Sequence, residues 1–283
     1  MKLTKIAAGA LAVAAAWAAT PAWADGGIRW GEGIGFYVGV DGQSTLTSGT
    51  YAGLANPNAG RLTFLFDHGD HFHGIGAYSY TGTAAAPVVD STNANNRIPE
   101  LYARTGEDDS ALQLTAGSGA FAGRLVSAVA ASGVNHEYGH LGVAGIQSLA
   151  GVGGAAEVLY GSSGGRWKGV YDGVAVGLKL ESISDGLKVA AGGDLDLFDT
   201  GSVHTLGGLD SLSFLPTFHV AAGAAPGVYS ASFSLVNLAS GSSVGDGGVF
   251  HFDFAVAAVP EPGTWALLLA GLAVLPVVAR RRR

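Results

Sequence analysis

The segment Val249–Val256, VFHFDFAV, indicates most clearly which fold this chain adopts. Its three phenylalanines alternate with His251 and Asp253. Because successive side chains of a strand point to opposite faces, the phenylalanines share one face and the two polar residues share the other. Such strict alternation predicts a strand with one face buried in a core.

Short alternating segments recur along the chain between turns rich in Gly, Ser, Asn and Asp, which is typical of an all-β sandwich. Six further strands are predicted at Gly35–Val40, Arg61–Asp67, Gly74–Tyr80, Ala111–Thr115, Val174–Ser182 and Gly227–Leu238. Ala155–Leu159 fits either a strand or a helical turn, whereas Ala84–Asn96 indicates a loop and Ser240–Gly248 a hairpin connection. We therefore predict one large or two smaller β-sandwich-like units, with a division of the two near residues 117–135.

The C-terminus has three consecutive parts: two prolines flanking a glutamate, an apolar run and a basic end. They are Pro260, Glu261 and Pro262, then Trp265–Ala279, then Arg280, Arg281, Arg282 and Arg283. A bilayer crossing needs roughly 17–25 residues, and the stretch from Gly263 to Ala279 supplies 17. Since terminal arginines favour the cytoplasm, we predict a C-terminal transmembrane helix with the rest of the chain outside. An ordinary single-span anchor is the alternative.

The N-terminus predicts export. Lys2 and Lys5 precede an apolar stretch, Ile6–Ala19, and Ala22-Trp23-Ala24 fits the small-x-small cleavage rule. Residues 1–24 are therefore predicted to be a signal peptide with an N-terminal signal helix, handled by the Sec export machinery and signal peptidase. Residues 25–258 then form the exported β-rich domain.

The order of parts in residues 259–283 resembles the PEP-CTERM sorting signal of exopolysaccharide-producing Gram-negative bacteria. The resemblance implies an exosortase-type sorting enzyme as partner, which cuts near the Pro-Glu-Pro. It also implies a protein held first at the inner membrane, facing the periplasm, and then processed to the outer surface or the extracellular matrix. Exopolysaccharide is a further partner that such a location offers.

The exported domain is acidic. Six of the 15 Lys and Arg residues lie in the two ends but only one of the 22 Asp and Glu residues, which leaves 9 basic against 21 acidic residues. This balance argues against nucleic acid, whose binding needs basic patches. The chain has no cysteine, so any metal would be bound by His, Asp and Glu rather than by thiolates.

Three of the eight histidines lie within seven residues, DHGDHFH at positions 67–73. In an extended segment His71 and His73 point to the same side, and a turn at Gly69 would bring His68 to the same place. Imidazole nitrogens bind zinc at about 2.0–2.1 Å, and Asp70 offers a further ligand or an orienting group. We predict a zinc site here; a polar loop with surface histidines is the alternative.

A second cluster, HEYGH at residues 136–140, matches the H-E-x-x-H pattern of zinc peptidases. There the two histidines lie one helical turn apart and the glutamate acts as general base. Glycines at 139, 142 and 145 oppose a helix, although Glu157 could serve as third ligand. Three interpretations stay open: His136 and His140 as metal ligands without catalysis, a peptidase, or a chance match.

The remaining histidines fall late in the sequence. His204 is predicted to lie in a loop, while His219 and His251 fall in β segments. Taken singly, each fits a surface or a hydrogen-bonded histidine. One or both of His204 and His219 could complete the zinc site of His71 and His73.

Residues 61–73, with PGVYSASF at 226–233 and FHFDF at 250–254, look like the cyanobacterial-type PEP-CTERM proteins repressed by the zinc-uptake regulator. Those are all-β exported proteins made under zinc shortage. This resemblance implies His68, His71 and His73 as zinc ligands and leaves His136 and His140 open. We thus expect a zinc-binding exported protein rather than an enzyme, with a structural or adhesive protein of the polysaccharide layer and a zinc peptidase as alternatives.

Overall fold

The computed structural model describes residues 33–93, 96–100, 111–128, 136–168, 173–199 and 201–258. The predicted signal peptide and the predicted transmembrane helix lie outside these residues. Within them, no helix has the length and apolar character that a membrane crossing requires.

The described residues are mainly β, as predicted. Their one α-helix, α1, spans Gly154–Gly165, where the sequence left a strand and a helical turn open. The strands are β1 (Ile34–Val40), β2 (Leu62–Asp67), β3 (Phe72–Ile75), β4 (Ser79–Thr83), β5 (Ala86–Asp90), β6 (Arg97–Ile98), β7 (Leu112–Ala116), β8 (Arg124–Ser127), β9 (Gly142–Gly145), β10 (Ala175–Ile183), β11 (Lys188–Ala190), β12 (Val203–Gly208), β13 (Ser213–Phe214), β14 (Thr217–Ala221), β15 (Gly227–Asn237) and β16 (Val249–Val256).

The strands form two large sheets and one hairpin. The five-stranded sheet has the order β13-β9-β1-β2-β3, and β4 pairs with β5 alone. The nine-stranded sheet has the order β11-β14-β8-β7-β16-β15-β10-β12, with β6 also paired to β16. Strands from before and after residues 117–135 pair within both large sheets, since β9 lies beside β1 and β7 beside β16.

The core lies between the two large sheets and is rich in phenylalanine. Phe250, Phe252 and Phe254 of β16 are all buried, as their alternation predicts. The ring of Phe250 stacks on Phe64 of β2, with 4.3 Å between centroids, and Phe252 meets Phe36 of β1 edge to face at 5.8 Å. Facing aromatic side chains therefore hold one sheet against the other.

The outer face of the five-stranded sheet is also covered. Tyr37 and Leu65 point away from the main core and form a second cluster with Ile146, Leu159 and other buried residues around α1. Burial on both faces explains why β1 is a continuous run of buried residues rather than an alternating one.

Three local predictions were wrong. Ala86–Asp90 is not loop but the exposed strand β5, because it pairs with β4 across a short turn. Gly74–Tyr80 is not one strand, since the chain turns at Gly76, whose φ of 67° favours glycine. His204 lies in a strand, β12, rather than in a loop, because that segment pairs with β10.

Candidate metal centre

The hairpin of β2 and β3 builds the first histidine cluster. Phe66 pairs with His73 and Asp67 with Phe72. In the connection, Asp67 Oδ1 accepts a hydrogen bond from the Gly69 amide at 2.8 Å, and the His68 amide donates to the His71 carbonyl at 3.0 Å. The φ of 91° at Gly69 allows this tight turn, which folds His68 back over the strand that follows.

The turn brings three imidazoles together. One ring nitrogen from each of His68, His71 and His73 lies within 4.8 Å of the other two. His71 Nε2 and His73 Nε2 are 2.9 Å apart, and the rings of His68 and His73 stack with 4.7 Å between centroids. Tetrahedral zinc with bonds of about 2.0–2.1 Å separates its ligand atoms by roughly 3.3 Å. The cluster therefore fits a zinc ion with small movements of the rings.

Carboxylates contact the Nδ1 atoms of two of these rings. Asp70 Oδ1 lies 2.6 Å from His71 Nδ1, and Glu100 Oε2 lies 3.0 Å from His73 Nδ1. A neutral imidazole that donates through Nδ1 keeps Nε2 as an acceptor. In that tautomer of both rings, the two Nε2 atoms, which lie 2.9 Å apart, would face a cation bound between them.

The electrostatics of the cluster favour a positive charge. The hydrogen bond to Glu100 raises the pKa of His73, and the charges of Glu100 and Glu137 act in the same direction against the effect of burial. The hydrogen bond and the charge of His71 lower the pKa of Asp70. The negative charge of Glu100 beside His73 would likewise favour a cation on that ring.

The H-E-x-x-H segment forms a 3₁₀ helix, His136–Gly139, rather than an α-helix, and His140 lies beyond its end. With three residues per turn, this helix does not place positions i and i+4 on one face as a peptidase requires. The His140 carbonyl oxygen packs so closely on Gly35 that a Cβ there would lie 2.3 Å from it. The side chain of His136 lies outside the described residues, so its role as a ligand stays a prediction.

The central residue of that segment connects it to the first cluster. Tyr138 is fully buried and stacks on Phe66 with 4.6 Å between ring centroids. Its hydroxyl donates to Glu100 Oε2 at 3.3 Å. The two histidine-rich segments therefore meet through Glu100 and Tyr138, which sequence reasoning did not assign to the site.

His204 and His219 lie in the nine-stranded sheet and make other contacts. His219 is buried; its Nε2 donates to the Leu195 carbonyl at 2.8 Å, and its Nδ1 accepts from Arg124 Nη1 at 3.2 Å. The ring of His204 packs against Phe198 and Phe214. Neither belongs to the group of three imidazoles found among the described residues.

The fold and this cluster define an all-β protein with three convergent imidazoles on one hairpin. Residues 258–283 match the family model of the PEP-CTERM protein-sorting motif. This match confirms the resemblance predicted from the C-terminal sequence and indicates an exported, surface-directed protein with an exosortase partner. Comparison with curated proteins and with solved structures found no match. The resemblance to proteins repressed by the zinc-uptake regulator therefore has no support from these comparisons.

Proposed function

We propose that this protein is an exosortase-processed surface protein that binds zinc through His68, His71 and His73 for capture, storage or transfer. The observation that carries the proposal is the convergence of one nitrogen from each ring within 4.8 Å. The three histidines lie on the short hairpin of β2 and β3, whose turn folds His68 back towards His71 and His73. Zinc sites with three histidines are well known, and their fourth position takes water or another ligand.

The ligand chemistry favours zinc, copper or nickel over calcium and magnesium. Imidazole suits the first three metals, whereas hard cations prefer oxygen ligands. The experiment that tests the proposal is elemental analysis with zinc titration of residues 25–258, compared with copper and nickel titrations. One zinc per chain at a dissociation constant well below those of calcium and magnesium is the expected result. A metal-free protein that binds none of these ions would favour the structural or adhesive alternative.

Zinc affinity is expected to fall as the pH is lowered, and to begin falling above pH 6.5. The pKa of His73 lies above its ordinary value of 6.5, so below this raised pKa a proton occupies the ring and competes with the metal. Displacing that one proton costs about a factor of ten in affinity per pH unit. Competition titrations with a chromophoric chelator at several pH values measure this slope. An affinity that stays constant down to about pH 6, well into the ordinary titration range of histidine, would contradict the prediction.

Processing is expected to depend on the Pro-Glu-Pro. Replacing Pro260, Glu261 and Pro262 together with alanine should leave a longer, unprocessed chain in a host that has the sorting enzyme. Electrophoretic mobility of the protein from cell fractions measures this difference. The matched control replaces Ser240 and Ser243 with alanine, which changes two exposed loop residues upstream and should leave processing intact. Equal mobility of the first variant and the wild type would reject the cleavage.

A further inference from the structure

Glu100 is a buried residue in contact with the histidine cluster rather than an exposed surface acid. It follows β6, which pairs in parallel with β16 through Arg97 and Ile98. The side chain is only 9% exposed, and Oε2 is shared by His73 Nδ1 at 3.0 Å and the Tyr138 hydroxyl at 3.3 Å. An ionised carboxylate is rarely buried without such partners.

Tyr138 fixes the carboxylate in turn. Its ring is held by stacking on Phe66, which is the strand partner of His73. Phe66 thus positions both the Tyr138 ring, by stacking, and His73, by strand pairing. The Glu100 oxygen that both side chains contact therefore has little freedom to shift. A carboxylate that accepts two hydrogen bonds in one place can orient an imidazole without being a metal ligand itself.

The hairpin contains a natural comparison. Asp70 makes the equivalent contact to His71 Nδ1 at 2.6 Å, but its side chain is 82% exposed and that of His71 is 45% exposed. Water can replace an exposed hydrogen bond at little cost, whereas a partly buried one loses a partner in a less polar setting. The two carboxylates therefore make similar contacts, but removing Glu100 should weaken metal binding more than removing Asp70.

We propose that Glu100 is the positioning residue of the metal centre, holding His73 in the tautomer with Nδ1 protonated so that Nε2 meets the metal. Tyr138 supports this by fixing the carboxylate, which gives the H-E-x-x-H segment a role through its tyrosine. The proposal rests on zinc binding by the three histidines. It adds a residue 27 positions distant in sequence from the ligand it orients.

The test compares zinc affinities of the full chain in mild detergent for four variants. Glu100→Ala should weaken zinc binding about 10- to 100-fold, the usual effect of removing an orienting partner. Glu100→Gln keeps an acceptor but loses the charge, so its loss should be smaller than that of Glu100→Ala. Tyr138→Phe keeps the stacked ring and should cost less than either. Asp70→Ala is a comparison within the site and should lose less affinity than Glu100→Ala, because water can replace its exposed hydrogen bond to His71.

A second readout separates orientation from general loosening of the fold. Long-range ¹H–¹⁵N NMR spectra of the zinc-loaded chain should show His73 with a protonated Nδ1 in the wild type and a changed pattern in Glu100→Ala. Equal zinc affinity of Glu100→Ala and wild type, or a loss no larger than that of Asp70→Ala, would overturn the positioning role alone. If Glu100→Ala does not fold, the Gln variant decides by the same comparison. A wild-type chain that binds no zinc would overturn the proposed function and this inference with it.

Discussion

Replacing His71 and His73 together with alanine is expected to remove the tightest zinc equivalent from the protein. Two of the three convergent nitrogens are lost, including the pair of Nε2 atoms 2.9 Å apart. The fall in affinity should exceed about a hundredfold, because losing an outer hydrogen-bonded partner alone costs 10- to 100-fold. Isothermal titration with zinc, starting from metal-free protein, measures the change.

A matched control removes two imidazoles elsewhere. His204 and His251 lie in β12 and β16 of the nine-stranded sheet, and replacing both with alanine should leave the tight zinc equivalent intact. Circular dichroism should show the same β content for both double variants. If the His71 and His73 variant still binds one zinc with wild-type affinity, the hairpin is not the site. Loss of binding in His136→Ala instead would move the ligand assignment to the second cluster.

Local patterns in the sequence predicted those strands whose burial is visible in their own residues. The alternation in β16 and the runs of β1 and β2 depend on neighbouring residues only, and all three strands formed where predicted. The β4–β5 hairpin was missed because β5 is exposed and has no alternating pattern. Its strand character comes from pairing with β4, which the composition of Ala84–Asn96 does not reveal.

The same distinction between local and distant contacts applies to the site. His68, His71 and His73 lie in one hairpin, so their spacing was enough to place them together. Glu100 reaches the cluster from the segment after β6, and Tyr138 reaches it from the 3₁₀ helix, at sequence separations that no motif encodes. The lone acid after a two-residue strand gave no sequence signal. In turn, the H-E-x-x-H spacing matched a known pattern although its backbone is not α-helical.

The two large sheets depend on a few aromatic contacts between β2 and β16. Phe250 is fully buried, stacks on Phe64, and lies against Gly76 so closely that a Cβ there would be 2.7 Å from Phe250 Cδ1. Phe233 and Phe252 complete its aromatic surroundings. Close-packed rings of this kind leave a cavity when one is removed, because their neighbours belong to two sheets and move little.

Phe250→Ala is therefore expected to lower the free energy of unfolding by about 3–5 kcal/mol, a large part of the roughly 5–15 kcal/mol that stabilises a typical domain. Urea unfolding followed by circular dichroism measures the loss as a lower midpoint. Val228→Ala is the control, because Val228 lies in β15 of the same sheet but is 63% exposed, and its change should stay within about 0.5 kcal/mol. A Phe250→Ala midpoint equal to that of Val228→Ala would mean that the stacked pair does not hold the sheets together. The sandwich would then rest on the apolar contacts of the remaining strands.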